Sequence, residues 1–214
     1  MLTVWCVNVG TKYSDDYVHR LENMVARNIK QPFIFKCLSD HNIEGVHTVL
    51  TPVDWPGWWQ KLYLFKLATK GKHLYFDLDV VITGPIDDLV SDFLTLPKNW
   101  AQSGHGGCQS SVMAWGEDYS YIADCFDPDL LSEPANGNYG YYGSQRLWGD
   151  QEYITALLGN PGAGRIAPMG GVYSYKYHCQ SALPNNAKVV CFHGLPKPDQ
   201  VTDEWVVNAR RHSC

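Results

Sequence analysis

Two aspartates separated by one residue, Asp77 and Asp79, interrupt the apolar run HLYFDLDVVITGP between His73 and Pro85. A carboxylate is costly to remove from water unless something compensates it. The flanking residues have the aromatic and β-branched character of a buried strand, so the pair needs a chemical reason to be there. Side chains two apart on a strand share a face. Two carboxylates on one face repel, and a divalent cation relieves that repulsion. Hard oxygen ligands suit Mg2+ or Mn2+, which keep positions open for phosphate oxygens. The plainer alternative has both aspartates bonding loop amides at a strand end.

The elements that must position this pair follow from periodicity and breakers. Strands are expected at Leu2–Val9, Pro32–Leu38, Val46–Leu50 and across the opening run, which Gly84-Pro85 ends. Ser14 is placed to cap a helix over Asp15–Ile29, with Val18, Leu21, Val25 and Ile29 at helical spacing. A second helix is expected over Trp58–Thr69, with Leu62, Phe65 and Leu67 as its apolar side and Gly71 after its end. Asp87–Leu96 reads as a short helix. This alternation predicts an α/β sheet with helices on its faces and ligands beyond the carboxyl ends of the strands. In the second half, Ser110–Trp115, Gly171–Tyr177 and Lys188–His193 read as strands. Glu117–Phe126, Gly149–Leu158 and Asp203–Arg211 read as helices, and Asn136–Gln145 as an irregular loop. No repeat or linker divides the chain, so one domain over 1–214 is expected, with a nucleotide-binding half (1–100) and a donor and acceptor half (101–214).

Composition narrows the class. The 214 residues are 45% hydrophobic and 18% charged, enough for one domain with a core. The net charge is −5 and the basic residues are scattered, which argues against a nucleic-acid groove. Seven cysteines without a C-x-x-C pair argue against a zinc site or a disulfide framework. A reducing, cytoplasmic setting and a soluble chain are expected. MLTVWCVNVG is not a signal peptide, and no run approaches the ~20 apolar residues of a membrane span.

The segment LYFDLDVVITGPIDDL resembles the D-x-D region of GT-A glycosyltransferases, such as glycogenin and the family 8 bacterial galactosyltransferases. The resemblance implies a Rossmann-like mixed central sheet flanked by helices, with the nucleotide site at the carboxyl ends of the strands. It implies transfer of a hexose (glucose or a related sugar, including a deoxyhexose) from a UDP-sugar to a glycan, glycoprotein or other hydroxyl acceptor. Mn2+ or Mg2+ would be held by Asp77, Asp79 and His193, with Asp77 also reaching the ribose. VNVGTKYSDDY is similar to the family's nucleotide loop, which would set Val9, Gly10, Thr11 and Tyr13 against uracil and ribose. Lys61 corresponds to a basic donor-binding residue, and SSVMAW to the small-residue strand beside the donor sugar, with Gln109 and Ser110 at its start. GDQEYI resembles the family's G-D-Q segment, in which Asp150 would bind sugar hydroxyls and Gln151 face the anomeric carbon. VVCFHGLPKP resembles the H-x-G-x-x-K-P ending, supplying His193 and Lys197. The chain is similar to single catalytic domains of microbial or viral glycan-building enzymes, acting as a monomer or as one domain of a larger protein.

Plain structural roles compete at several positions. Lys61 could lie on a solvated helix face, Lys197 on the surface, Asp150 at a helix N-cap and His193 in a core. DWPGWW, Asp54–Trp59, could offer indole faces to an acceptor sugar or form a packed corner. A loop with Asp127, Asp129 and Glu133 could hold a base. Asp77-Leu78-Asp79-Val80-Val81 also fits the D-x-D-x-[TV] pattern of haloacid-dehalogenase phosphatases, although Ile154 stands where that family's late acidic segment needs an acid. A non-catalytic sugar-nucleotide-binding module is the third possibility.

Overall fold

The computed structural model describes residues 1–100, 107–131, 140–142 and 145–211. Strand β1 (Leu2–Asn8), helix α1 (Asp15–Asn28) and strand β2 (Phe33–Ser39) form the first crossover unit, followed by β3 (Thr48–Leu50). A 3-10 segment (Gly57–Tyr63) runs into the helical turn α2 (Leu64–Leu67). Then come β4 (Lys72–Phe76), β5 (Val80–Ile82), β6 (Thr95–Leu96), β7 (Val112–Trp115) and α3 (Tyr121–Asp124). Strands β8 (Gly140–Tyr142) and β9 (Gln145–Leu147) precede α4 (Asp150–Leu158). The chain finishes through β10 (Ala167–Pro168), β11 (Val172–Ser174), α5 (Tyr175–His178), β12 (Val189–Cys191) and α6 (Glu204–Arg210).

The main sheet has the order β10-β6-β7-β4-β1-β2-β3. Strands β4, β1, β2 and β3 run parallel, and β7 pairs antiparallel with both β4 and β6. Side chains alternate between two cores, as the period of a strand requires. Val4 and Cys6 of β1, Leu74 and Phe76 of β4, and Val112 and Ala114 of β7 face one core with Val18, Leu21, Met24 and Val25 of α1. Trp5, Tyr75, Met113 and Trp115 face the other, with Trp59, Leu62, Phe65, Tyr153 and Ile154. Burying each large apolar side chain contributes about 1.5–3 kcal/mol. A second sheet, β11-β12-β5, joins β5 antiparallel to β12.

The expected strand from His73 to Pro85 is two strands in two sheets. β4 ends at Phe76, Asp77-Leu78-Asp79 turns, and β5 enters the second sheet. The two aspartates therefore do not share a strand face. The expected helix over Trp58–Thr69 begins as 3-10, with Trp59 and Leu62 buried three residues apart, and is α-helical only over Leu64–Leu67. Leu67, expected on its apolar side, is exposed. Asp87–Leu96 holds only a 3-10 turn, Asp87–Leu89, and then the sheet strand β6, because Leu94 and Leu96 are wanted in the core. Gly171–Tyr177 leaves the strand at Ser174, whose side chain accepts from the Tyr177 amide and starts α5. Of the expected loop Asn136–Gln145, residues 140–142 and 145 pair in the β8–β9 hairpin, and the rest lie outside the described residues. Helix α3 is one turn, shorter than Glu117–Phe126. Ser14 takes the N-cap position of α1 without a side-chain cap bond. Six cysteines in the described residues are free thiols, and no described helix is long and apolar enough to cross a membrane.

His73 is buried in β4, its Nδ1 accepting from Trp5 Nε1 at 3.3 Å and its Nε2 facing the Lys70 carbonyl at 3.0 Å. Burial lowers its pKa below 6.5, with Lys36 adding to the effect against the Lys70 carbonyl. The unfolded chain then binds the proton more readily, so His73 contributes stability above pH 6.5 that is lost as pH falls through its folded pKa. His73→Asn keeps an acceptor for Trp5 without titrating. The stability difference between wild type and H73N, measured by urea unfolding, should therefore shrink between pH 7 and pH 5.

Candidate active site

The carboxyl ends of β1 and β4 open into a cleft with two lobes. The apolar lobe, about 200 Å³, is walled by Val7, Val9, Tyr13, Trp58 and Leu78. The polar lobe, about 240 Å³, is lined by Gln109, Ser110, Ser111, Asp150, Gln151, Glu152, His193 and Lys197, with Trp148 at its edge. Lys12, Trp58, Lys61, Asp77 and Asp79 line both lobes and join them.

The aspartate turn sits at the seam between the sheets. Asp77 N–H donates to the Ser111 carbonyl at 2.8 Å, extending the β4–β7 pairing by one residue. The Asp79 carbonyl accepts from Phe192 N–H at 3.1 Å, extending the β5–β12 pairing. That second ladder is what delivers His193 and Lys197 to Asp79. Lys197 Nζ lies 2.5 Å from Asp79 Oδ2, and the Tyr13 hydroxyl donates to the same oxygen at 2.7 Å. Burial and the Asp79 carboxylate raise the Tyr13 pKa well above its ordinary value, so the phenol remains a donor.

Lys61 is the buried cation of the site, only 4% exposed. Its Nζ lies 2.9 Å from Asp77 Oδ1 and 3.4 Å from both Asp150 Oδ2 and Ser110 Oγ. Burial alone would lower its pKa, but Asp150 and Asp77 outweigh that and hold it above the ordinary lysine value. Burial works against the Asp77 carboxylate as well, yet Lys61 and the Tyr75 hydroxyl, 2.5 Å away, keep its pKa low. Asp150 is pushed the other way: burial raises its pKa more than Lys61 and Ser110 lower it. It occupies the first residue of α4 rather than the cap, which is Gly149.

Asp77, Asp79 and His193, the expected metal ligands, line the polar lobe together. Among the described residues no group of three or more His, Cys, Asp and Glu is disposed to hold an ion. The expected mutual repulsion of Asp77 and Asp79 is relieved instead by one lysine for each carboxylate. His193 Nε2 is 2.6 Å from Ser174 Oγ, and its ring stacks on Trp100 and Tyr177. Burial, then Lys176, lowers its pKa against Asp79, which keeps the imidazole neutral at neutral pH. The donor types still suit a hard divalent cation: the three side chains line one lobe, and the Lys197 ammonium on Asp79 shows that this carboxylate accepts positive charge.

Of the other expected residues, Val9, Tyr13, Lys61, Gln109, Ser110, Asp150, Gln151 and Lys197 line the cleft, while Gly10 and Thr11 do not. Gly10, at φ +74°, turns the chain so that Lys12 and Tyr13 enter, and its N–H donates to Asp40 at 2.9 Å. Gln109 Oε1 accepts from Ser111 N–H at 2.6 Å. In DWPGWW, Trp59 is fully buried and Trp55 packs on Phe126, so of the three indoles Trp58 is the one that lines the cleft, with Gly57 beside it. Asp127 caps a 3-10 turn through the Asp129 amide, neither residue lines the cleft, and Glu133 lies outside the described residues. Sequence reasoning missed Lys12, Trp148 and Glu152. Glu152 accepts from Gln151 Nε2 at 2.9 Å, and its Oε2 is buried without a partner. Only their adjacency to quoted motif residues could have flagged them.

No family model matches the chain, and no curated protein matches it by sequence. Solved structures do match. The galactosyltransferase LgtC in complex with donor and acceptor sugar analogues superposes with a TM-score of 0.56 at 14% identity, over 92% of this chain and 88% of LgtC. The glycosyltransferase GlyE of Streptococcus pneumoniae superposes with a TM-score of 0.63 at 14% identity, over 99% of this chain and 60% of GlyE. The bifunctional glycosyltransferase WbbM gives 0.62 at 12% identity, over 98% of this chain and 49% of WbbM. The chain thus has the GT-A glycosyltransferase fold, with the mixed, helix-flanked sheet expected of it.

Removing the buried cation should expose how much it holds. Lys61→Met leaves the buried Asp150 and the half-buried Asp77 without a counter-charge and should destabilise the protein by about 3–5 kcal/mol in urea unfolding at pH 7. Adding Asp150→Asn to Lys61→Met should recover part of that loss.

Proposed function

We propose that the chain is a glycosyltransferase that moves a hexose from a UDP-sugar to a carbohydrate hydroxyl, assisted by Mn2+ or Mg2+. The observation that carries this is the convergence of two carboxylates, two lysines and a neutral imidazole on one cleft of a GT-A fold. The apolar lobe suits a nucleobase and ribose, between Val7, Val9 and the rings of Tyr13 and Trp58. The polar lobe suits the diphosphate and the sugar. Asp77, Asp79 and His193 would hold the metal ion, which when bound supplies Lewis-acid stabilisation of the diphosphate.

Cleaving the bond to the anomeric carbon leaves charge on the departing phosphate. Lys197 is placed to meet it, exchanging its hold on Asp79 for the phosphate oxygens. Lys61 stays fixed between Asp77 and Asp150 and supports the carboxylate geometry. Asp150 and Gln151, at the start of α4, face the space left for the hexose. The Gln151 amide is oriented by its bond to Glu152. What supports a carbohydrate acceptor is a pair of indoles at the mouth, Trp58 at 39% and Trp148 at 43% exposure. Gly149 leaves room for the first of them, since a Cβ there would lie 3.3 Å from Trp58 Nε1. The haloacid-dehalogenase alternative needs Asp77 as a nucleophile, but its carboxylate is held by Lys61 and Tyr75.

UDP release from a panel of UDP-sugars with Mn2+ tests the assignment. Asp77→Ala and Asp79→Ala should each lower release at least about a hundredfold, with unchanged circular dichroism. Calorimetric binding of UDP-sugar without any UDP release from the wild type, across a broad acceptor panel, would instead identify a binding module. Trp148→Ala should raise the KM for the acceptor about five- to tenfold and leave acceptor-independent UDP release unchanged.

A further inference from the structure

A second charged cavity lies at the junction of α1 and α6 and shares no lining residue with the donor cleft. Its volume is about 450 Å³. Arg20 from α1, Arg210 and Arg211 from the end of α6, and Asp199 line it, with Pro198 and Val201 as an apolar wall. Four of the chain's six arginines, Arg20, Arg27, Arg210 and Arg211, belong to this helix pair, in a protein of net charge −5. Arg27 ties the helices together by donating to the Ala209 and Arg211 carbonyls. The other three are turned to the cavity.

The charges there do not balance. Arg210 is only 7% exposed, and its guanidinium sits 4.8 Å from the Tyr17 ring centroid. Its Nη1 and the Nε of Arg20 are buried without hydrogen-bond partners. Among the described residues Asp199 is the single carboxylate lining the cavity, and one of its oxygens already accepts from the Tyr17 hydroxyl at 2.5 Å. Three guanidinium groups against one carboxylate leave two positive charges. A guanidinium does not shed its proton near neutral pH, so the cavity cannot neutralise itself as a lysine site could. Its planar fork matches a tetrahedral oxyanion in two-point contact.

We propose that the α1–α6 junction is a binding site for a phosphate dianion, free or as a monoester, held between Arg20 and Arg210 and separate from the donor cleft. Thermal unfolding of the full chain in inorganic phosphate, against chloride at equal ionic strength, tests it. Phosphate at tenfold above its Kd should raise the midpoint by about 3–5 °C. The shift should disappear in Arg20→Gln and Arg210→Gln and persist in Lys197→Gln. A parallel titration with glycerol 3-phosphate separates the sources: a larger shift identifies a monoester, an equal one the free anion. If Arg210→Gln does not fold, Arg20→Gln decides alone, since Arg20 is less buried. No shift over chloride overturns the proposal. So does a shift that survives Arg20→Gln and vanishes in Lys197→Gln, because the phosphate would then sit in the donor cleft.

Discussion

The site depends on keeping Lys61 charged out of water. Its ammonium is shared by Asp77, at the end of β4, and Asp150, at the start of α4, two elements far apart in sequence. A buried ion pair of this kind contributes little net stability, because desolvating the charges offsets most of their attraction. What it does contribute is placement. Neither carboxylate can leave without stranding the lysine, so strand end, helix start and 3-10 segment are held in one arrangement. The Tyr75 hydroxyl donates to Asp77 and the Lys61 ammonium also reaches Ser110, while Asp150 Oδ2 is buried with no hydrogen-bond partner and relies on the ion pair.

The second carboxylate is governed differently. Asp79 is bound by Lys197 and Tyr13, both from segments bordering open space. One aspartate is thus fixed by a buried partner and the other by a partner that can be exchanged for substrate oxygens. That division suits a cleft which must stay ordered when empty and still accept a highly charged ligand. The apolar and polar lobes divide the ligand in the same way, ring against ring on one side and charge against charge on the other.

Much of this was legible in the residues. The D-x-D pair, Lys61, Asp150, Gln151, His193 and Lys197 all line one cleft, and the α/β alternation led to the correct fold class. What stayed hidden was set by tertiary context. The apolar residues on either side of Asp77 and Asp79, from Leu74 to Ile82, give no sign that they belong to different sheets, since both halves are buried. The three-residue spacing of Trp59, Leu62 and Phe65 can be read on an α-helix almost as well as on the 3-10 segment that holds the first two and runs into α2 with the third. The lysines that neutralise the aspartates are 16 and 118 residues from them, beyond the reach of any local pattern. Lys12 and Trp148 sit inside or beside quoted motifs, but nothing in their residue types marks them as cleft residues.

The turn at Leu78 also limits how the gene encoding this protein could drift in length. Backbone pairing is locked on both sides of it, at Asp77 with Ser111 and at Asp79 with Phe192. One added codon would shift β5 by about 3.3 Å along β12. Val80, Val81 and Ile82 are all buried, so no slipped frame offers a solvent-facing position to absorb the error. Surface loops elsewhere can tolerate insertions; between these two aspartates the one-residue spacer is a mechanical dimension of the fold, as strict as a bond length is to a ring.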